Sequence, residues 1–377
     1  MKIWTSIILI FSLITITNAQ KNDQNWVFGR GTGGKKFPDS GVFFMNFDYN
    51  GGYKWDIPDS DSNGVVATYA FGTTSYSDNE GNLKFISNGI RIFNSTLEVM
   101  ENGDTINPGY IWNTTSKQYD GYPARHDVLG LPTPGQEDEY AYMIHYGVDT
   151  CKKCYPLPAL FINPIYYSKI DLKANGGLGK VIEKNVVLAE GRFLPYSATR
   201  HANGRDWWVM VPEESKNIYW RWLLTPDGFK GPWKQQIGPI PNDNKSQYFL
   251  LSCFSPQGDR YAAGWQGKLM VVFDFDRCTG LLSAPRSLSL NEPGYEVWNI
   301  YSCCSCFSSS GRFCYINCGI RVFQVDLDES VLRLDTIGTC QECNDCKGSI
   351  GQNIPGGDGY EANMQLAPDG NIYFSQF

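Results

Sequence analysis

The chain has 377 residues, with 39 Gly, 20 Pro, 12 Cys, only 3 His and a formal net charge of −7. At 42% hydrophobic and 14% aromatic it carries ample material for a core, which excludes disorder of the low-hydrophobicity kind. The acidic balance argues against a nucleic-acid binder, which needs a basic footprint, and three His leave little for His-rich metal chemistry.

The N-terminus comes first. Lys2 gives a positive start, Ile7 to Ile16 form an apolar core, and Thr17-Asn18-Ala19 places small residues before a cleavage site. Residues 1–19 read as a signal peptide, with Gln20 leading the mature chain. The apolar stretch is shorter than the roughly 20 residues a membrane span needs. No later stretch reaches that length without charges, so no membrane span is expected. The expected location is secreted or at the outer cell surface.

Gly29, Gly31 and Gly34 fit a G-x-G-x-x-G pattern after an apolar run, but the following Lys35 to Gly41 contains Pro38 and is no helix. A dinucleotide would need a helix N-terminus there, so this reads as a glycine loop. Asp59, Asp61 and Asn63, with Gly64, supply oxygen ligands at positions 1, 3 and 5 and the turn glycine at 6 of a calcium loop. Position 12 is Ala70 where the bidentate Glu belongs. A polar turn is the simpler reading, and calcium is the one cofactor the residues admit.

Turn signals then recur along the chain. Asn79-Glu80-Gly81, Thr133-Pro134-Gly135, Ala202-Asn203-Gly204, Pro256-Gln257-Gly258, Ser309-Ser310-Gly311 and Pro368-Asp369-Gly370 are spaced by 54, 69, 54, 53 and 59 residues. An aromatic follows each glycine within five residues: Phe85, Tyr140, Trp207, Tyr261, Phe313 and Tyr373. Pro226-Asp227-Gly228 and Cys278-Thr279-Gly280 mark second turns. Between turns lie runs rich in β-branched and aromatic residues, among them Ile218 to Leu223, Leu269 to Phe273 and Ile320 to Val325. Four strands joined by tight turns and repeated at this period are the signature of propeller blades. The expected fold is all-β, a β-propeller of six or seven four-stranded antiparallel blades, as a single domain over 20–377. The 69-residue unit carries an insertion around Asp149 to Pro164, and the 59-residue unit carries Cys340 to Gly357. Such insertions map to loops, often on a binding face.

All twelve cysteines lie after the expected leader. Cys151 and Cys154 form a CKKC, and the other ten fall between Cys253 and Cys346. Exported chains form disulfides, whereas the same spacings in a cytosolic protein would suggest zinc. Thioredoxin-type chemistry needs a helix after the CxxC, and Pro156 and Pro158 stand there instead. Cys306 and Cys314 flank the Ser308 to Gly311 turn. If Phe307 pairs with Phe313, the two cysteines sit directly opposite and a cross-strand bridge is expected, with Cys304 as the rival partner.

The stretches Ser77 to Phe85, His201 to Trp208, Phe273 to Arg277 and Met364 to Tyr373 resemble the propeller region of Bacteroidetes cell-surface proteins. That family is often attached to type IX secretion sorting or gliding-motility-associated C-terminal domains. The resemblance covers roughly Trp26 to Phe377 and implies a propeller; it carries over no catalytic residue. Family members continue past the Met364 to Tyr373 strand into further blades and a sorting domain. The expectation is therefore either a C-terminally truncated chain or a last blade completed by the N-terminal strands Asn25–Phe28 and Val42–Phe47.

Candidate chemistry is sparse. No G-x-S-x-G occurs, and His126, His145 and His201 are scattered. Glu137-Asp138-Glu139 reads as a solvated turn. Trp207, Trp208, Trp220 and Trp222 could stack sugars, but core aromatics are the simpler reading. The expected function is a secreted or surface propeller binding an extracellular protein or glycan through its loops, with no catalysis evident. The alternative is a propeller hydrolase acting on extracellular polysaccharide, which would need two placed carboxylates.

Overall fold

The computed structural model describes residues 24–29, 42–48, 52–56, 74–109, 112–113, 128–151, 159–214, 216–241, 252–265, 269–290, 303–318, 321–339 and 362–376. The statements below concern these residues. The expected signal peptide, residues 1–19, lies outside them.

Seven antiparallel sheets follow one another along the chain. Sheet one is β1 (Asn25–Gly29), β2 (Val42–Asp48) and β3 (Gly52–Asp56); sheet two is β4 (Thr74–Ser77), β5 (Leu83–Ser87) and β6 (Ile92–Asn94). Sheet three is β7 (Leu129–Pro132), β8 (Tyr140–Cys151), β9 (Ala159–Asp171) and β10 (Lys180–Ala189). Sheet four is β11 (Ser197–Arg200), β12 (Trp207–Pro212), β13 (Ile218–Thr225) and β14 (Gly228–Gln236). Sheet five is β15 (Cys253–Phe254), β16 (Arg260–Trp265), β17 (Leu269–Asp276) and β18 (Leu281–Ser289). Sheet six is β19 (Cys303–Phe307), β20 (Phe313–Cys318), β21 (Arg321–Asp326) and β22 (Asp335–Thr339); sheet seven is β23 (Ala362–Leu366) and β24 (Ile372–Gln376).

Each sheet is a meander whose strands pair in chain order. The first strands of successive sheets lie side by side: β1 with β4, β4 with β7, β11 with β15, β15 with β19 and β19 with β23. Sheets three and four share one apolar cluster, in which Tyr142 and Ile144 pack with Val209 and Trp222. Sheet seven meets sheet one through Tyr373, whose ring lies 5.8 Å from Trp26 and 5.4 Å from Phe47. The sheets therefore close a ring with their first strands innermost and β14 and β18 exposed at the rim. This is a β-propeller with seven sheets.

The N-terminal strands do not complete the last blade. Trp26 pairs with Met45 inside sheet one, and Phe44 with Asp56. Sheet one packs face to face on sheet seven through Trp26, Met45, Phe47 and Ala367. Sheets three to six have four strands; the described parts of one and two have three, and that of seven has two.

The turn glycines account for the repeat. Gly81, Gly135, Gly204, Gly258, Gly311 and Gly370 each close the hairpin between the first and second strands of sheets two to seven, with φ between 70° and 91°. That left-handed region costs an L-residue about 1–2 kcal/mol and costs glycine almost nothing. The Gly258 amide bonds the Ser255 carbonyl at 2.8 Å, and the Gly311 amide bonds that of Ser308 at 2.9 Å.

Burial follows from the stacking of sheets. β12 is buried along almost its whole length because neighbouring sheets cover both of its faces. On β21 the alternation seen in the sequence survives, with Phe323 and Val325 buried between half-exposed neighbours. Trp222, Tyr219 and Phe273 are almost fully enclosed; truncating an aromatic at such a site typically costs about 3–5 kcal/mol.

The long third unit is a lengthened β8–β9 hairpin. Its ladder runs from Tyr140–Asp171 to Cys151–Ala159, with a bulge between Tyr146 and Val148. Cys151 ends β8, and Cys154 lies outside the described residues.

Candidate functional site

In a four-stranded meander, the first-to-second and third-to-fourth turns lie at one end of the ring. The second-to-third turns and the sheet-to-sheet connections lie at the other. The first end carries the glycine turns of sheets two to seven. The strand ends joined by 152–158, 242–251, 291–302 and 340–361 lie at the second, open end; 30–41 joins β1 to β2 at the first end, and 57–73 joins the end of β3 at the first end to the start of β4 at the second. The four open-end segments hold Cys154, Cys340, Cys343 and Cys346; these cysteines and the calcium-loop candidates Asp59, Asp61 and Asn63 lie outside the described residues.

At the glycine-turn end, charged groups from sheets two to four meet. Tyr76 on β4 is enclosed, and burial, followed by the charges of Asp78, Glu137 and Asp138, keeps its phenol protonated far above the ordinary range. Arg200 at the end of β11 lies 4.0 Å above the Trp207 ring and donates to the Arg205 carbonyl at 2.6 Å. Burial pulls the pKa of Arg200 down. Asp78 accepts the amides of Glu80 and Asn82 at 3.0 and 2.9 Å and pairs with Lys84 at 3.1 Å. Burial raises its pKa, but the Asn82 bonds and Lys84 outweigh that and hold it ionised. Asp206 is held the same way, burial being outweighed by Arg205 and Asn203. These carboxylates build the turns, and none is poised to donate a proton.

At the open end, sheets three and four present a described platform. Phe193, in the connection after β10, bridges Ile162 and Glu213. The Gly191 amide donates to Asn163 Oδ1 at 3.0 Å, and Tyr196 Oη donates to the Ile144 carbonyl at 2.8 Å. Arg192 pairs with Glu214 at 2.6 Å. Burial pushes the Glu214 carboxyl up, and Arg192 offsets only part of this. Trp220 Nε1 donates to Glu213 Oε2 at 3.1 Å, while Lys234 sits 3.6 Å above the Trp220 ring. Lys216 also pairs with Glu213, so the platform shows two carboxylates, three cations and an indole.

The tryptophans divide. Trp208 and Trp222 are core residues, as their place in the repeat suggests. Trp207 and Trp220 are half-exposed, but Arg200 and Lys234 already cover a face of each. Glu137, Asp138 and Glu139 lie in a turn with Asp138 and Glu139 exposed; Glu137 Oε1 accepts the Gly135 amide of the same turn at 2.9 Å, and Asp138 accepts from Asn79 of the neighbouring turn at 3.3 Å.

One constellation has no local sequence signal. His145 Nδ1 lies 2.6 Å from Asn107 Oδ1, and its Nε2 lies 2.8 Å from Ser168 Oγ. This is the order of a nucleophile, a base and an orienting group. Yet His145 and Ser168 are 0% exposed and Asn107 is 2% exposed, so no substrate reaches the hydroxyl. The three residues form a buried polar network. His201, by contrast, is built into its turn, its Nε2 3.1 Å from the Cys278 carbonyl. His126 lies outside the described residues.

The expected Cys306–Cys314 pairing is corrected by the register. Cys306 lies opposite Tyr315 and Cys314 opposite Phe307. The two cysteines therefore point to opposite faces of sheet six: Cys306 toward Met364 of sheet seven, Cys314 into the cluster shared with sheet five. Both are thiols, as are Cys253 and Cys278.

No protein-family model matches the chain, and no curated protein matches it. Among solved structures it is similar to the periplasmic gluconolactonase of Pseudomonas aeruginosa. The TM-score is 0.50 at 14% identity, over 84% of this chain and 81% of that one. It is also similar to the Dos1 propeller, with a TM-score of 0.42 at 10% identity, over 84% and 82%. At 14% identity the likeness to the gluconolactonase speaks to the fold alone, and the ring of seven meander sheets makes the chain a β-propeller.

Proposed function

We propose that the chain is a secreted or cell-surface propeller that binds an extracellular protein or glycan through its open-end loops. The observation that carries this reading is the asymmetry of the ring. Glycine turns close sheets two to seven at one end, while the strand ends joined by 152–158, 242–251, 291–302 and 340–361 gather at the other. Loops held by a rigid scaffold are where binding residues concentrate. The Trp220, Glu213 and Arg192 platform adds an aromatic and charged edge to that end. The resemblance to Bacteroidetes surface propellers supports the same location.

A hydrolase acting on polysaccharide would need one carboxyl kept protonated beside one kept ionised. Among the described carboxyls, Glu214 is the one pushed up, and it is engaged by Arg192. Binding is therefore the better supported reading.

The test is a glycan array and a set of surface proteins probed with the purified chain and two variants. One replaces 152–158 with an Asn-Gly turn; the other is Arg205→Ala at the glycine-turn end. Retention of one ligand class that is lost only in the open-end variant is expected. Binding lost only with Arg205→Ala, or new reducing ends released from polysaccharide, would overturn the proposal.

A further inference from the structure

The boundary between sheets five and six holds a pair of thiols. β19 and β20 pair Phe307 with Cys314 and Ser305 with Ile316. In an antiparallel pair, opposed residues and those two places along share a face. Ser305, Phe307, Cys314 and Ile316 therefore all look toward sheet five. From sheet five, Cys253 on β15 reaches the same place. Its Sγ lies 3.4 Å from Ser305 Oγ, β15 lies beside β19, and Cys253 packs on the cluster holding Phe307, Cys314 and Ile316. Cys306 faces sheet seven and does not compete.

We propose that Cys253 and Cys314 are the two halves of a disulfide that locks sheet five to sheet six. The inference rests on the proposed export, which supplies an oxidising medium, and the oxidant is a small-molecule disulfide such as oxidised glutathione. The Cys253 thiolate attacks one sulfur of the oxidant and releases the other as a thiolate. The Cys314 thiolate then attacks the Cys253 sulfur of the mixed disulfide and releases the second. Two protein thiols lose two electrons and two protons, and one oxidant disulfide becomes two thiols.

The surroundings assign the roles. Hydrogen bonding from Cys314 holds the Cys253 pKa down against burial, with help from Ser305. Hydrogen bonding to Cys253 and then burial push that of Cys314 well up. Cys253 is the half-exposed partner and Cys314 the buried one, so Cys253 makes the first attack and the exchange precedes full closure of the two sheets. The bridge closes a long loop, the kind that most constrains an unfolded chain.

The test refolds the full chain from urea in a buffer of oxidised and reduced glutathione. Free thiols are then alkylated, and the protein is mapped without reduction. Expected is one cross-linked peptide pair carrying Cys253 and Cys314, lighter by two hydrogens, with neither residue in the alkylated pool. Cys253→Ser should leave Cys314 alkylated and lower the urea midpoint under oxidising conditions only. Both thiols alkylated in the oxidised folded protein, or Cys314 joined to another cysteine, would overturn the pairing. The wild-type map decides even where the variant fails to fold. N-terminal sequencing of exported protein tests the export reading separately.

Discussion

Arg277 Nε donates to the carbonyl oxygen of Arg200 at 2.8 Å, across the boundary between sheets five and four. The same guanidinium reaches the carbonyls of Gln257 at 3.1 Å and His201 at 3.4 Å. Its own carbonyl accepts Trp208 Nε1 at 2.8 Å and the Ala202 amide at 3.1 Å. One residue in the β17–β18 turn thus ties the hairpins of two sheets together. Hydrogen bonds from charged donors contribute about 1.5–3 kcal/mol each when buried, and less where water reaches them. Arg277→Ala should cost about 2 kcal/mol, seen as a lower urea midpoint at an unchanged slope. Arg277→Lys should recover only part, because an ammonium cannot fork to several carbonyls. An Arg277→Ala midpoint equal to wild type would show that the clasp contributes nothing.

The glycine turns separate two costs that usually act together. At Gly204, φ is +74° and an added Cβ meets nothing within 4 Å, so Gly204→Ala should lose only the conformational part, about 1 kcal/mol. At Gly258, φ is +70° and the Cβ would also press on Thr199 Oγ1 and lie 3.2 Å from Arg277 Cδ. Overpacking adds about 1–3 kcal/mol, so Gly258→Ala should be clearly the worse of the two. Equal thermal midpoints for the two variants would contradict this.

These positions also show why part of the fold was legible in the sequence. A positive-φ glycine is a local demand, so all six turns could be read from neighbouring residues alone. The aromatic that follows each glycine begins or supports a second strand, and Tyr261 and Trp207 pair where the repeat places them. The β19–β20 register was not legible, because it depends on the shape of the turn. Gly311, in the left-handed region at φ +73°, takes an extra residue into the hairpin, and the Ser308 amide bonds the Phe313 carbonyl at 2.8 Å. That extra residue moves Cys314 opposite Phe307 and turns Cys306 to the other face. The buried network around His145 was hidden for another reason. Asn107, Ser168 and Asn185 come from distant parts of the chain, and no spacing rule joins them.

That network gives a pH prediction. The Asn107 amide donates to the Gly89 carbonyl at 2.9 Å, which leaves its Oδ1 to accept from His145 Nδ1–H. His145 Nε2 is then the acceptor, and the Ser168 hydroxyl donates to it while accepting the Asn185 amide at 3.2 Å. Every partner is satisfied by a neutral ring. Burial opposes the charged form and pushes the His145 pKa down to about 3. Below the ordinary value near 6.5 the unfolded chain therefore binds a proton that the folded chain refuses. Stability from this group is constant above pH 6.5 and falls as pH drops toward about 3, by about 1.4 kcal/mol per pH unit. His145→Gln removes the titrating ring. The variant should be less stable at pH 7.5, where its amide replaces the ring imperfectly, and its gap from wild type should shrink as pH falls through 6 and 5. Urea midpoints at pH 7.5, 6 and 5 read the gap directly. In wild type alone, the His145 ring carbon shifts followed by NMR should stay those of a neutral imidazole at pH 5; an imidazolium signal there in the folded protein would refute the assignment.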